Sequence, residues 1–376
     1  MSFEDLGIKD EILRGIFSYG YETPSDIQLK SIPLMATKKD LIAQAQSGTG
    51  KTGSFCIGVL NNIDKSIDDL QAIILCPTHE LVHQCYNVID NLNNYYKAKI
   101  ITMVGKTPVS NNIKDLKTLP HIVIGTPGRI LDMIERKELF TNSIKILTID
   151  EADEMLSTGF LESMYNIIKY IPQEAKICLF SATMPDEILE LANRFMEDSE
   201  KILVNKEQLT LEGIQQFFIK LDNYSWKYDV LIDLYSMINM NQCIIYVNSK
   251  NSLYNLLEKL KQNDYPVSCI HGELSSDDRK IEMENFRSGK TRIMISTDLL
   301  ARGIDIQQLS LVINFDLPYN KETYIHRIGR SGRYGRKGVS INLVLTKEID
   351  DQNLIEAHYD TKILEMPDNI QEYLSI

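Results

Sequence analysis

The sequence predicts an α/β protein built as two parallel-sheet lobes in tandem, and three observations carry that reading. Short β-branched runs alternate with longer amphipathic stretches along nearly the whole chain, the pattern of βα units whose helices cover both faces of a parallel sheet. The length of 376 residues, at about 150 residues per domain, suits two domains. The alternation lapses once, over NKEQLTLEGIQQ at 205–216, which has no apolar periodicity and contains a glycine. That places a short linker at 205–213, between an N-terminal domain at 1–204 and a C-terminal domain at 214–376.

In the first lobe, strands are predicted at 41–45 (LIAQA), 72–76 (AIILC), 100–104 (IITMV), 121–125 (HIVIG), 145–149 (KILTI) and 176–180 (KICLF), each followed by loop residues and then a helical run. The second lobe repeats the scheme at 243–247 (CIIYV), 267–270 (VSCI), 292–296 (RIMIS), 310–315 (SLVINF) and 339–345 (VSINLVL). Trp226, with apolar residues following at 230, 231, 234 and 237, is expected to pack a helix rather than to stack on a base. In open parallel sheets ligands gather at the carboxyl ends of the strands, so the polar loops just after strands are where chemistry is sought.

Composition narrows the function. Lys plus Arg is 40 and Asp plus Glu is 52, a net charge of −12, so no general basic surface holds a polyanion and any nucleic-acid contact is local. The six cysteines show no CxxC and no regular spacing, which argues against a disulfide framework or a structural zinc site. Cys76, Cys178 and Cys243 fall inside apolar runs and read as small core hydrophobes. An acidic start and the absence of 18 consecutive apolar residues predict neither a signal peptide nor a membrane span, and hence a soluble intracellular protein.

After the first strand comes Ala45-Gln46-Ser47-Gly48-Thr49-Gly50-Lys51-Thr52, a phosphate-binding loop with Ala45 in place of its first glycine. Backbone N–H groups at the helix start would cradle phosphates, Lys51 would reach the β- and γ-phosphates, and the Thr52 hydroxyl would ligate Mg²⁺. About 100 residues on, Asp150-Glu151-Ala152-Asp153 follows a buried strand. There Asp150 can hold Mg²⁺ and Glu151 can orient or deprotonate the attacking water.

These motifs, with Ser181-Ala182-Thr183 and with His326-Arg327-Ile328-Gly329-Arg330-Ser331-Gly332-Arg333, resemble the DEAD-box RNA helicases over essentially the whole chain. Several stretches are closer still to the initiation factor 4A group within that family: AQAQSGTGKT, DEADEML, SATMP, LTLEGI, STDLLARGIDIQQ and YIHRIGR. The resemblance implies two RecA-like domains forming a superfamily 2 helicase core, an ATP hydrolase using ATP and Mg²⁺, and RNA as partner. It also implies a cytoplasmic monomer acting in translation initiation with the scaffold factor 4G and its cofactor 4B. Tyr21, Thr23 and Gln28 would read the adenine. Arg330 and Arg333 would act as arginine fingers, worth about 10³ to 10⁵ in rate, and Asp305 would contact the ribose. Pro77, Thr78, Gly105, Thr126, Gly128, Arg129, Asn248, Arg279 and Thr297 would hold the RNA backbone without reading sequence. Ser181 and Thr183, with Asp153 and His326, would couple hydrolysis to strand separation. Fingers and phosphate loop on different lobes would make hydrolysis depend on closure.

Three departures stand out. The family's Pro-Thr-Arg-Glu-Leu is here Pro77-Thr78-His79-Glu80-Leu81, its double glycine is Gly105-Lys106, and the Gln of its Gln-x-x-Arg is Ser276 before Arg279. A mostly neutral imidazole for a guanidinium predicts a weakened phosphate contact at His79, restored by His79→Arg. The same substitution writes His79-Glu80-Leu81-Val82-His83, the HExxH pattern of zinc peptidases, against which stands the absence of an obvious third ligand. A second alternative is an RNA clamp of the exon-junction type, nuclear rather than cytoplasmic, which Ser331-Gly332-Arg333-Tyr334-Gly335-Arg336 resembles more closely.

Overall fold

The computed structural model describes all residues except 46, 47, 158, 197, 204–213, 238–241, 299–308, 330, 332–337, 368, 375 and 376. The chain divides into two units, Met1–Val204 and Asn205–Ile376. The stretch 205–213, expected as the linker, lies outside the described residues.

In the first unit the apolar runs become the strands β1 (Leu41–Gln44), β2 (Ala72–Leu75), β3 (Ile100–Met103), β4 (Ile122–Gly125), β5 (Ile146–Ile149) and β6 (Lys176–Ser181), with β7 (Glu200–Ile202) added at one edge. They form one seven-stranded sheet in the order β3-β4-β2-β5-β6-β1-β7, and every pairing is parallel. β1, β2, β4, β5 and β6 are buried throughout, as strands covered on both faces must be. Side chains alternate between two core layers: Ile74, Cys76 and Ile122 face one, Ile73, Leu75 and Val123 the other.

The second unit repeats the plan with β8 (Ile214–Leu221), β9 (Cys243–Tyr246), β10 (Val267–Ile270), β11 (Ile293–Ser296), β12 (Leu311–Asn314), β13 (Gly338–Leu345) and β14 (Leu364–Glu365). Its seven-stranded order is β10-β11-β9-β12-β13-β8-β14, again parallel throughout. The fold class is the expected one.

Two expectations are corrected. β8 was not among the predicted strands, and its first residues, Ile214 to Gln216, close the stretch read as lacking apolar periodicity. Gln216 belongs there because its amide is satisfied on both ends: its Oε1 accepts from the Tyr324 hydroxyl at 2.9 Å and its Nε2 donates to Thr361 Oγ1 at 2.9 Å. Trp226 does not pack a core. It opens its helix with 50 % of its surface exposed, while Leu231 and Leu234 supply the buried face. Cys76, Cys178 and Cys243 are buried as expected. Among the described residues no helix is long and apolar enough to cross a membrane.

Helix α1 (Asp10–Ser18) packs against the end of a longer helix, His79–Leu92, and Gly15 permits the approach. A Cβ there would lie 2.0 Å from the Leu92 carbonyl oxygen, which is backbone and cannot turn aside. Gly15→Ala therefore forces the two helices apart and is expected to cost about 1–3 kcal/mol. A lowered urea midpoint checks this, and an unchanged one would show that α1 tolerates the displacement.

Candidate functional site

The carboxyl ends of β1, β6 and β5 lie side by side, and the phosphate loop joins β1 to its helix. Helix α2 (Asp26–Met35) lies against helix α3 (Lys51–Asn62). Gly50 caps α3 at φ 99° and Gly48 sits at φ 82°, left-handed conformations that a Cβ would oppose. Ala45 is buried and donates its N–H to the Ser181 carbonyl at 3.1 Å, so β6 anchors the start of the loop. Gln46 and Ser47 lie outside the described residues. Thr49 and Thr52 are half-buried at the helix start.

Lys51 is only 5 % exposed, and its ammonium lies 3.5 Å from both carboxylate oxygens of Glu151. Glu151 stands at φ 49°, a left-handed strain for a side-chain-bearing residue, at the end of β5. Asp150 is 3 % exposed. Burial, then the adjacent Glu151 carboxylate, push it up to about 8 against the pull of Lys51. One lysine facing two buried carboxylates leaves room for further positive charge. The Asp150 carboxylate and the Thr52 hydroxyl are hard oxygen donors of the kind Mg²⁺ takes, so the residues present fit that ion.

Gln28, buried on α2, accepts from the Ser25 N–H at 2.9 Å and reaches the Gly50 carbonyl with its Nε2 at 3.4 Å. Tyr21 comes to the same spot: a Cβ on Gly53 would lie 2.8 Å from its hydroxyl and 3.0 Å from Gln28 Nε2. Its ring stacks on Phe3, with centroids 6.3 Å apart. Thr23 is exposed nearby in sequence, before α2.

Asp153 ties β5 to the loop after β6. Its Oδ2 accepts from Thr183 Oγ1 at 2.5 Å and from the Thr183 N–H at 3.2 Å, and its own N–H donates to Ser181 Oγ at 3.3 Å. All three residues are buried, so these bonds are made in low dielectric, and breaking one leaves a carboxylate short of a donor.

On the other half of the same edge, β2, β4 and β3 end beside one another. Thr78 caps helix α4 (His79–Leu92) by accepting the Leu81 N–H at 3.2 Å, just after buried Pro77. Past β3, Gly105 and exposed Lys106 lead toward helix α5 (Val109–Leu116). Thr126 stands at the N-cap of helix α6 (Pro127–Glu135), with Gly128 exposed. Two helix starts and a turn therefore present backbone N–H groups to one side, which suits phosphates. A Cβ on Gly105 would lie 3.7 Å from His79 Nε2, so these loops touch. Arg129 is 9 % exposed, and its guanidinium bonds the Thr107 carbonyl at 2.8 Å, Thr107 Oγ1 at 3.1 Å and Asn112 Oδ1. No third ligand candidate joins His79 and His83 among the described residues.

In the second unit Asn248, Thr297 and Asp316 follow β9, β11 and β12, which are neighbours. Asn248 donates its N–H to Asp316 Oδ2 at 3.0 Å and its Nδ2 to the Leu317 carbonyl at 2.8 Å. Arg279 lies on the helix Ser276–Arg287 and donates to the Leu274 carbonyl at 3.3 Å. His326 is buried on the helix Lys321–Ile328. Arg327, within the helicase-like stretch that begins at His326, is fully buried. It bonds Asp298 at 2.5 Å, the Asp316 carbonyl at 2.6 Å, Asn248 Oδ1 at 2.7 Å and Asn314 Oδ1 at 3.2 Å. Asp305, Arg330 and Arg333 lie outside the described residues. Gln44, Asn112 and Asp316, which hold these loops, were missed. Only Asp316 carries a signal, an acid directly after an apolar strand.

Comparison with known proteins agrees with these constellations. Residues 25–191 match the DEAD/DEAH box helicase model and residues 226–335 the helicase conserved C-terminal domain. The chain is 48 % identical over 373 residues to eukaryotic initiation factor 4A of Caenorhabditis elegans, covering 99 % of this chain and 93 % of that protein. It is 49 % identical over 371 residues to the ATP-dependent RNA helicase eIF4A of Meyerozyma guilliermondii, covering 99 % and 94 %. Among solved structures, S. cerevisiae Dbp5 bound to RNA and ADP BeF3 matches with a TM-score of 0.92 at 32 % identity, covering 100 % of this chain and 98 % of that one. With relatives at nearly half identity matched over almost their full length, this chain belongs to the DEAD/DEAH box helicase family.

Proposed function

We propose that this chain is an ATP-dependent RNA helicase of translation initiation, hydrolysing ATP to separate short RNA duplexes in messenger leaders. One observation carries the reading: a single sheet edge holds a phosphate loop with paired carboxylates at β1, β5 and β6, and phosphate-facing helix starts at β2 and β4. ATP sits on the residues from Ala45 to Thr52, with adenine against Tyr21, Thr23 and Gln28. Mg²⁺, when bound by Asp150 and Thr52, offsets the charge on the phosphates. Glu151 takes the proton of the attacking water, Arg330 and Arg333 act as arginine fingers, and Asp305 contacts the ribose. RNA phosphates lie along Pro77, Thr78, Gly105, Thr126 and Gly128, a surface that Arg129 braces from within, and Asn248, Arg279 and Thr297 hold RNA phosphates in the second unit. Asp153, Ser181, Thr183 and His326 pass the state of the nucleotide to the strand-separating step.

The domains run over 1–204 and 214–376 with a linker at 205–213, and the protein works as a cytoplasmic monomer with the scaffold factor 4G and cofactor 4B. The clamp alternative is less supported, because the relatives at 48 % and 49 % identity described above bear the initiation factor name.

Steady-state ATP hydrolysis with and without single-stranded RNA tests the reading. RNA is expected to raise the rate, and Glu151→Gln to lower it by about 10² or more, as loss of a general base does. A rate indifferent to RNA would contradict the proposal. Ser181→Ala combined with Thr183→Ala is expected to keep RNA-stimulated hydrolysis while abolishing unwinding of a short duplex. Loss of both activities together would remove the coupling role.

A further inference from the structure

We propose that Lys106 is the phosphate-binding cation at the RNA end of the first unit, held outward by the buried Arg129. The inference rests on reading that end as an RNA site.

A chain of net charge −12 must place its cations where a polyanion meets it. Among the described residues in the loops and first helical turns that follow β2, β3 and β4, two carry a permanent positive charge: Lys106 and Arg129. Arg129 is turned inward, with its guanidinium occupied by Thr107 and Asn112. Lys106 is exposed.

The turn that presents Lys106 is fixed on both sides. Thr107 Oγ1 donates to the Val104 carbonyl at 2.8 Å, closing residues 104–107, and Arg129 grips the same threonine through its hydroxyl and carbonyl. Lys106 itself stands at φ 60°. A left-handed lysine is strained, and such a conformation persists where surrounding bonds over-determine it. Arg129 is thus a positioning residue: it sets the turn, and the turn aims the lysine.

His79 lies against this loop, its Nε2 3.7 Å from where a Gly105 Cβ would stand. Where the family resemblance has a guanidinium at position 79 and glycine at 106, this chain has an imidazole and an ammonium in touching loops. The two departures, which read singly as two losses, together move one cation across the contact.

The test is equilibrium binding of a labelled single-stranded RNA to the full chain, with a non-hydrolysable ATP analogue, across a salt series. Lys106→Gln, which keeps a side chain at the strained position, is expected to weaken binding about 3- to 10-fold and to flatten the slope of log K against log salt by about 0.7, the loss of one phosphate contact on a single strand. Lys106→Arg should keep both quantities. The pair His79→Arg with Lys106→Gly should return affinity and slope to wild-type values. A Lys106→Gln protein with unchanged slope overturns the assignment of Lys106 while leaving the RNA site intact. A wild-type protein that binds no RNA overturns the site reading itself.

Discussion

A parallel sheet delivers the end of every strand to one edge, and the helix that follows each strand starts there with unpaired N–H groups pointing outward. That constraint governs both units, whose fourteen strands among the described residues all pair in parallel. In the first unit the strand order then divides the work: β5, β6 and β1 bring together Asp150, Glu151, Ser181 and the phosphate loop, while β3, β4 and β2 bring together Gly105, Thr126 and Thr78. β2 and β5 are hydrogen-bonded neighbours, so the boundary between the halves falls within the centre of the sheet. Two chemically different ligands can share one edge without sharing residues.

What holds the loops in place is buried polar bonding. In the first unit Asp153 bonds Thr183 and Ser181, and Arg129 bonds Thr107 and Asn112. In the second, Arg327 gathers Asn248, Asp298, Asn314 and Asp316 around one guanidinium. Lys227 is equally buried and donates to the Phe315 carbonyl at 2.7 Å beside Asp316. Burial pulls its pKa down while Asp316 and Glu348 hold it up. Such groups are costly to desolvate singly, and each is retained with its donors and acceptors matched. The outcome is a set of loops whose positions are specified by buried side-chain bonds within each unit.

The strands buried on both faces were legible because short uninterrupted apolar runs such as AIIL and IVIG, bounded by polar residues, suit strands covered on both sides. β7 and β14 were not, since they are three and two residues long, stand at sheet edges, and carry charged residues. β8 escaped as a whole, its polar start making sense only because Gln216 finds partners 108 and 145 residues away. Among candidate site residues, the phosphate loop and the Asp150 cluster could be read from spacing, because both sit on contiguous segments beside apolar strands. The roles of Arg129 and Arg327 could not, because an arginine in a loop or a basic run looks the same in sequence whether it faces solvent or its own fold. Lys106 needed its φ and its neighbours before its charge acquired meaning.

The division of the first unit's edge is the claim on which the account stands, and hydrogen exchange on the full chain addresses it directly. Single-stranded RNA alone should slow exchange in the loops after β2, β3 and β4, while Mg²⁺ with an ATP analogue alone should slow it after β1, β5 and β6. Protection of the same loops by either ligand given alone would contradict the division and, with it, the assignment of separate nucleotide and RNA halves.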